Sequence, residues 1–343
     1  MEIKSQYGLP ELEEMAALGL ENYGADNDIS KSSFLEWQYL KNPAGKARVS
    51  LSYDGGRLTG EIAQLPLEYR IGKKNSLVSN FINALINKRD RDISVFYALN
   101  KNSFGQCGNM PFAFSLPNPN SYPLYKKLFK CETVCGIPLL IIPMRPRALA
   151  KKMIGKTLGS FVPPIVYKGL FCKRAEIKEI KSADELRPLA EFFDRNKDRY
   201  NISLLKTREF LSWRYFEGPR DYKILTALEN GEIRAAAVIR TVDVSGIRNG
   251  MLVDFVAEGS IGTGLLKEVK KRFNTDKCEL CGCLMLPHTD EYKYLKRAGF
   301  IVCPEKFLPQ PFLLSIKIFD GQNRDFYIKP ENWFITMGDY DAV

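Results

Sequence analysis

The chain has 343 residues, of which 45% are hydrophobic and 26% charged, a balance typical of a soluble globular protein of about two domains. Its best apolar run, residues 136–144, is far shorter than the ~20 residues that a membrane-spanning helix needs, so no transmembrane segment is expected. The first residues lack the basic flank and apolar core of a secretory signal, which predicts a cytoplasmic protein with reduced cysteines.

The first part of the chain predicts a mixed α/β module. Two strands with alternating apolar residues flank the Asp-Gly-Gly turn at 54–56, as in a β-hairpin. The predicted elements in chain order are a helix at 11–22, a helix with Trp37 and Tyr39, strands at 47–53, 58–65 and 76–85, a helix, a strand ending at Pro117, a tyrosine-bearing helix and a closing apolar strand. A hairpin followed by strand–helix–strand units predicts a mixed sheet.

A basic linker follows at residues 146–174. Between Arg145 and Lys181 there are ten basic and two acidic residues, which account for most of the net charge of +10. Within 146–173, apolar residues at helical spacing allow an amphipathic helix that could contact an anionic membrane surface weakly. Packing of that helix between the modules is the alternative. Base-stacking aromatics are not interleaved with the cations, so nucleic acid is an unlikely partner for this segment.

The second part of the chain repeats the first. Phe34–Pro43 recurs as Phe210–Pro219 at a spacing of 176, and four further blocks follow in the same order while the spacing drifts to 170. Small loop deletions produce such a drift, so the sequence predicts an α/β (α+β) fold of two tandem mixed-sheet modules with an internal repeat. We expect the helices of Trp37 and Trp213 to pack, buried, against their own sheets. The predicted domains are 1–145, the linker 146–174, 175–320 and a docked tail, 321–343.

This order of elements is similar to the GNAT (GCN5-related N-acetyltransferase-like) fold, and the double form resembles tandem-GNAT two-domain proteins. The resemblance rests on the Trp-x-Tyr helix with its following Asn-Pro, on the position of a loop after the fourth strand, and on Pro117-Asn-Pro-Asn-Ser-Tyr-Pro-Leu-Tyr125. It implies that acetyl-CoA or another acyl-CoA binds in a V-shaped split between two strands. The pyrophosphate of that co-substrate would lie on backbone N–H groups at a helix N-terminus.

In the family, the phosphate loop reads Arg or Gln, two residues, Gly, one residue, then Gly or Ala. Module two keeps both glycines, in Gly262-Thr263-Gly264, but has Gly259 at the arginine place. Glycine lets the phosphate approach the backbone, and backbone donors matter more here than one exposed cation. The second loop is therefore the better predicted cradle, although an ordinary strand-to-helix turn would look the same.

Module one keeps the cation of that pattern but not its glycines. Arg91 stands at the arginine place, Ser94 and Phe96 stand at the glycine places, and Asp92 adds a negative charge. We include Arg91 and Ser94 as cofactor-binding candidates, together with Asn118, which falls at the exit of the fifth strand beside the expected cleft. Exposed surface residues are the alternative interpretation.

Acyl transfer to an amine needs a base, an oxyanion donor and an acid for the leaving thiolate. The resemblance places Tyr125 at the acid position of module one, whereas the matching place in module two holds Leu295, and Tyr294 next to it is expected to point elsewhere. His288, the only histidine, and Asp254 on the fourth strand are candidate bases, with Glu61 a weaker third. For each, a structural role is the alternative.

No metal site is predicted. Cys278-x-x-Cys281-x-Cys283 is the only cysteine cluster, and its apolar neighbours favour a buried strand. Zinc would need a fourth ligand, for which only His288 is near in sequence.

The leading functional hypothesis is an acyl-CoA-dependent N-acyltransferase that acts on a small-molecule amine, with an amino sugar or sugar nucleotide of surface-polysaccharide synthesis as the suggested acceptor. A Fem-type transferase that uses charged tRNA is one alternative, motivated by the basic linker. A non-catalytic binding protein is another, motivated by the degenerate loop of module one. Which module holds the cofactor stays open from the sequence.

Overall fold

The chain forms two mixed β-sheets with helices on their faces, as a computed structural model shows for residues 1–154 and 175–340. The predicted linker therefore lies mostly outside the described residues. The strands of the first half are β1 (Glu2–Lys4), β2 (Arg48–Asp54), β3 (Arg57–Ile71), β4 (Lys74–Ile86), β5 (Phe112–Ser115), β6 (Glu132–Gly136) and β7 (Leu139–Pro143). Those of the second half are β8 (Glu176–Ile180), β9 (Ile202–Leu204), β10 (Lys223–Glu229), β11 (Glu232–Val244), β12 (Ile247–Ala257), β13 (Leu280–Leu284), β14 (Ile301–Val302) and β15 (Leu313–Ile318).

The helices follow the order that the sequence predicts. They are α1 (Leu9–Tyr23), α2 (Ser32–Leu40), α3 (Ile93–Gly105), α4 (Tyr122–Phe129), α5 (Pro146–Ile154), α6 (Arg187–Asn196), α7 (Arg208–Ser212), α8 (Ile261–Thr275), α9 (Asp290–Arg297) and α10 (Arg324–Tyr327). Among the described residues, no helix is long and apolar enough to cross a membrane.

Both sheets are mixed. The first has the order β1-β2-β3-β4-β5-β15-β6, with β9 beside β3, and the second has the order β14-β7-β13-β12-β11-β10-β8. The pairs β4–β5 and β12–β13 are parallel, whereas the hairpins β2–β3 and β10–β11 are antiparallel. The turn between β2 and β3 uses Gly55 and Gly56 at φ 56° and 80°, a region that glycine enters at low cost. The prediction of two mixed-sheet α/β modules is confirmed.

Each sheet contains strands from the other half of the chain, and the first sheet has two of them, β9 and β15. In the first sheet β15 lies between β5 and β6, and in the second β7 lies between β13 and β14. The apolar run that predicted a closing strand is β7, whose Leu140 and Ile142 are fully buried. It pairs antiparallel with β13, with Leu140 opposite Cys283.

The chain accordingly divides into two compact units that do not follow its linear order. Unit 1 comprises Met1–Cys135, Asn201–Arg220 and Leu313–Asn332, and unit 2 comprises Gly136–Tyr200, Asp221–Phe312 and Trp333–Val343. The domain boundaries inferred from the sequence follow the repeat and stay a prediction.

The two repeated tryptophans meet in unit 1. Their rings stack with centroids 5.0 Å apart and planes at 20°. Trp37 Nε1 donates to Trp213 O at 2.9 Å, and Trp213 Nε1 donates to Trp37 O at 3.1 Å. Both are 3% exposed, so burial is as expected, but each packs on the other and not only on a sheet. Gly218 permits this, because a Cβ there would lie 2.8 Å from the Trp37 ring.

This reciprocal pair should couple measurably. Trp37→Phe and Trp213→Phe each remove one N–H donor from a buried carbonyl, so we expect each to lower the free energy of unfolding by about 1–3 kcal/mol. A double-mutant cycle in urea should give a coupling energy of about 0.5–1.5 kcal/mol, as for buried aromatic pairs. Tyr23→Phe, at a 53% exposed site, is the control. Single variants within about 0.5 kcal/mol of wild type would contradict the prediction.

Candidate active site

Unit 2 contains a split between two parallel strands. The pairing of β12 with β13 covers Asn249 to Met251 and ends with Met251 opposite Gly282. β12 then continues to Ala257 beside β11 alone. A register shift between Val238 and Ile239 leaves one extra residue in β12 at this point. Such a bulge bends the strand, and here it lies where β12 and β13 part.

Beyond Met251, one edge of β12 turns its backbone N–H and C=O groups into this split, where no strand pairs with them. Glu258 N donates to Arg234 O, so the backbone groups of Glu258 face β11. Along β12 the backbone N–H and C=O groups of successive residues face β11 and the split in turn. Ala257 belongs to the set that points away, because its N–H donates to Glu291 Oε1 and its C=O accepts from Arg199 Nη1. Phe255, two residues earlier in β12, turns its N–H and C=O to the same side.

A buried ion pair closes one end of the split. Glu291, the second residue of α9, is fully buried, and its Oε1 lies 2.9 Å from Arg199 Nη1. Tyr200 donates its hydroxyl to Glu291 Oε2 at 2.8 Å. Burial, and then the charge of Glu291, raises the pKa of the Tyr200 phenol. This group was not anticipated from the sequence, because its members come from separate segments without a shared motif.

The N-terminus of α8 begins just beyond the end of β12. Gly259 turns the chain at φ 71°, and no side chain among the described residues caps the helix. Gly262 is buried, and a Cβ there would lie 2.6 Å from the Cβ of Ala257. Gly262 is therefore required for packing of α8 on β12, whereas Gly264 is half-buried.

Tyr294 lies at the same place. Its Cδ2 is 3.4 Å from the position that a Cβ on Gly262 would occupy. Leu295, which holds the family's acid position, is fully buried. The two side chains face different ways: at this place α9 turns Leu295 into the core and Tyr294 toward the start of α8.

In the corresponding loop of unit 1, a side chain of the protein already binds the helix N-terminus. Asp92 is the N-cap of α3, and its Oδ1 accepts from Ser94 N at 2.7 Å. Hydrogen bonds from Ser94 lower the pKa of the Asp92 carboxyl, so it is anionic. A carboxylate on this helix end repels a phosphate and already holds one of its N–H donors. Arg91 is exposed, with its Nε 3.4 Å from Ile86 O.

Tyr125 lies in an apolar cluster of unit 1. It is 5% exposed, packs against Phe96 with ring centroids 5.3 Å apart, and shares the cluster with Phe129 and Cys131. Burial raises the pKa of its phenol. Asn118 is exposed and uses Oδ1 to accept from the backbone N of Asn120 and Ser121 in the turn before α4. The parallel pairing of β4 with β5 ends nearby, at Asn80 opposite Phe114.

The two candidate bases of unit 2 both bind the tail of the chain. Asp254 is 1% exposed and its Oδ1 accepts from Thr336 Oγ1 at 3.1 Å. His288 Nε2 lies 2.9 Å from Trp333 O. A carbonyl only accepts, so Nε2 carries the proton and Nδ1 is the nitrogen that could take one. The tail covers the face opposite α8, since the Phe255 ring points to Gly262 and Asp254 to the other side.

The cysteine cluster is part of the core. Cys281 and Cys283 lie on β13, both at most 1% exposed, and burial raises the pKa of each thiol. Within residues 1–154 and 175–340 there is no group of three or more His, Cys, Asp or Glu side chains that could hold a metal ion.

Glu61, the weaker base candidate, is a buried carboxylate in unit 1. It is 1% exposed, and neither of its oxygens has a hydrogen-bond partner among the described residues. It lies on β3 between Leu51 of β2 and Leu85 of β4, on the face opposite α3. Burial raises its pKa to about 8. Glu61 is thus one strand away from the β4–β5 split, a poor position for a base.

Known proteins resemble this chain in structure but not detectably in sequence. No family model and no curated protein matches it. A protein of unknown function from Enterococcus faecalis V583, described as a probable N-acyltransferase, has 10% identity over 93% of this chain and 72% of its own, with a TM-score of 0.64. N-myristoyltransferase from Saccharomyces cerevisiae, with bound myristoyl-CoA, has 14% identity over 92% and 78%, with a TM-score of 0.60.

A third solved structure, a GCN5-related N-acetyltransferase from Anabaena variabilis ATCC 29413, has 9% identity over 92% of this chain and 73% of its own, with a TM-score of 0.65. At these identities the likeness shows the fold. The chain has the GNAT fold that its sequence predicts.

Glu61 should make stability depend on pH. Its folded pKa, about 8, is raised above the ordinary 4.5, so the folded state binds its proton more tightly than the unfolded state. Its contribution to stability is full below pH 4.5 and is lost as the pH rises toward 8. In urea titrations at pH 5 and pH 8.5, Glu61→Gln should remove most of that decline, which is of the order of a few kcal/mol. Glu68→Gln, at an exposed position of the same strand, should keep the wild-type decline. An unchanged decline in Glu61→Gln would contradict the prediction.

Proposed function

We propose that the chain is an acyl-CoA-dependent N-acyltransferase whose co-substrate binds in the split of unit 2. The observation that carries the proposal is the opening of β12 from β13 before the helix N-terminus with Gly262 and Gly264, which no side chain among the described residues caps. Unpaired N–H groups at such a terminus favour a phosphate, and glycine lets it approach. The GNAT fold of the chain and the acyltransferases among the solved structures that resemble it support the same activity.

The split supplies the groups that acyl transfer needs. The N–H of Phe255 faces the split and would donate to the oxyanion that forms on the thioester carbonyl. The amine acceptor would approach from the face of Asp254 and His288, where the tail of the chain also lies. His288 Nδ1 or the Asp254 carboxylate would take the proton of the amine. Tyr294, beside Gly262, would return a proton to the leaving thiolate.

The identities of the acyl donor and of the amine acceptor are part of the same proposal. Acetyl-CoA is the proposed donor and an amino sugar or sugar nucleotide the proposed acceptor, as the resemblance to tandem-GNAT two-domain proteins suggests. Arg91, Ser94, Asn118 and Tyr125 would serve if unit 1 held the cofactor instead. The Asp92 cap and the apolar surroundings of Tyr125 weigh against that choice.

Calorimetric titration with acetyl-CoA tests the cofactor site. Gly264→Trp would fill the half-buried approach to the start of α8, so we expect the affinity to fall at least about tenfold. Ser94→Trp, at an exposed position of the matching loop in unit 1, is the control and should bind as wild type does. The reverse result would place the cofactor in unit 1. No binding by the wild-type chain at millimolar acetyl-CoA would end the proposal and favour the tRNA-dependent or non-catalytic alternatives.

Tyr294→Phe tests the proposed acid. It removes only the hydroxyl, so acetyl-CoA binding should persist while the rate of coenzyme A release to an amine falls about 10²–10⁴-fold. Tyr292→Phe, at a half-buried position on the same helix, is the matched control and should keep the wild-type rate. A rate in Tyr294→Phe within a factor of about two of wild type would show that the thiolate leaves without this phenol.

A further inference from the structure

Unit 1 presents an apolar stripe on α3 to solvent. Ile93 is 58% exposed and Tyr97, one turn later, is 43% exposed. Lys101 continues the stripe with its Nζ 6.0 Å from the centre of the Tyr97 ring. Tyr97 also stacks on Phe129 of α4 with centroids 5.5 Å apart, so its ring is packed while a large part of the residue stays exposed. A fixed aromatic ring beside an exposed aliphatic side chain marks a contact surface better than scattered exposed residues do.

The segments that carry this stripe and its α4 neighbour are rich in exposed cations. From Ile86 to Lys130 the chain has seven Lys or Arg residues and two Asp residues. Asp90 is paired with Arg57, and Asp92 caps α3, so both acids are engaged. The cations are Lys88, Arg89 and Arg91 before α3, Lys101 on it, and Lys126, Lys127 and Lys130 on α4 and at its end. Within the described parts of the chain, none of these seven forms an ion pair with a carboxylate, so their charge is directed to solvent.

We propose that this surface, the α3 surface, docks unit 1 on a bilayer of anionic phospholipids. Ile93 and Tyr97 enter the boundary between headgroups and acyl chains, where aliphatic and amphipathic aromatic side chains are favoured. The seven cations bind lipid phosphates, and each cation near such a surface strengthens binding by about fivefold.

A bilayer fits this surface better than a nucleic acid does. Nucleic-acid surfaces combine cations with several exposed rings on which bases stack. Here one exposed ring lies beside an exposed isoleucine. An isoleucine cannot stack on a base, but its burial among acyl chains is favourable. The α3 surface lies in unit 1 and is separate from the basic linker, and its docking does not depend on the proposed acyl transfer.

Vesicle co-sedimentation of the full chain tests the proposal. Wild type should sediment with phosphatidylcholine–phosphatidylglycerol vesicles at low salt and not with phosphatidylcholine alone. The double variant Ile93→Ser, Tyr97→Ser should weaken binding about tenfold through lost apolar burial. The triple variant Lys126→Gln, Lys127→Gln, Lys130→Gln should weaken it roughly a hundredfold. Val244→Ser with Ile301→Ser, at 55% and 49% exposed sites of unit 2, should leave it unchanged.

Three results would overturn the proposal. The first is wild-type sedimentation that does not depend on phosphatidylglycerol. The second is vesicle binding by the Ile93→Ser, Tyr97→Ser variant equal to that of wild type, which would show that binding depends on charge alone and not on the apolar side chains. The third is full release of wild type from vesicles by micromolar coenzyme A, which would identify the cations as a site for a soluble phosphate. Unfolding midpoints of all variants should match wild type, which separates lost binding from lost fold.

Discussion

The departure of β12 from β13 leaves backbone groups without strand partners, and the rest of unit 2 is arranged around them. Buried N–H and C=O groups cannot stay unpaired without a large loss of stability. At Ala257 the Arg199–Glu291 ion pair satisfies both groups. At the next outward-facing position, Phe255, the backbone N–H and C=O turn to the same side as those of Ala257. The split is thus closed by side chains at one end, and the proposed co-substrate would take the place of a strand further in.

The two units carry the same architecture with different chemistry. At the strand-to-helix loop, unit 2 has glycines and a helix end free of a side-chain cap, as far as the described residues go, whereas unit 1 has the Asp92 carboxylate in that place. In the two hairpins, Glu61 of β3 and Ala236 of β11 hold corresponding positions. In each strand a β-bulge is followed by one paired residue, and Glu61 or Ala236 is the next residue. The fold therefore does not require a carboxylate at this position.

Much of this could be predicted from the sequence, because hydrophobic periodicity, turn residues and the repeat all act locally. These local signals predicted the mixed sheets, the hairpin turn and the glycine loop of unit 2. They could not predict which side chains pack against each other when they lie far apart in the sequence. The equal spacing of Trp37 and Trp213 indicated burial but not that the two rings stack. Helical register predicted that Tyr294 and Leu295 face different ways, but not that Tyr294 lies beside Gly262 while Leu295 is fully buried.

The exchanged strands also set the order in which the chain can fold during synthesis. β5 and β6 are made early, but β15, which lies between them in the sheet, is made only after β7 to β14. Until then the nascent first half exposes two open strand edges, which are prone to pair with other chains. The first sheet can therefore close only after β15, in the second half of the chain, has been made. A gene fragment that stops after β7 would therefore encode a chain that must either aggregate or be held by a chaperone.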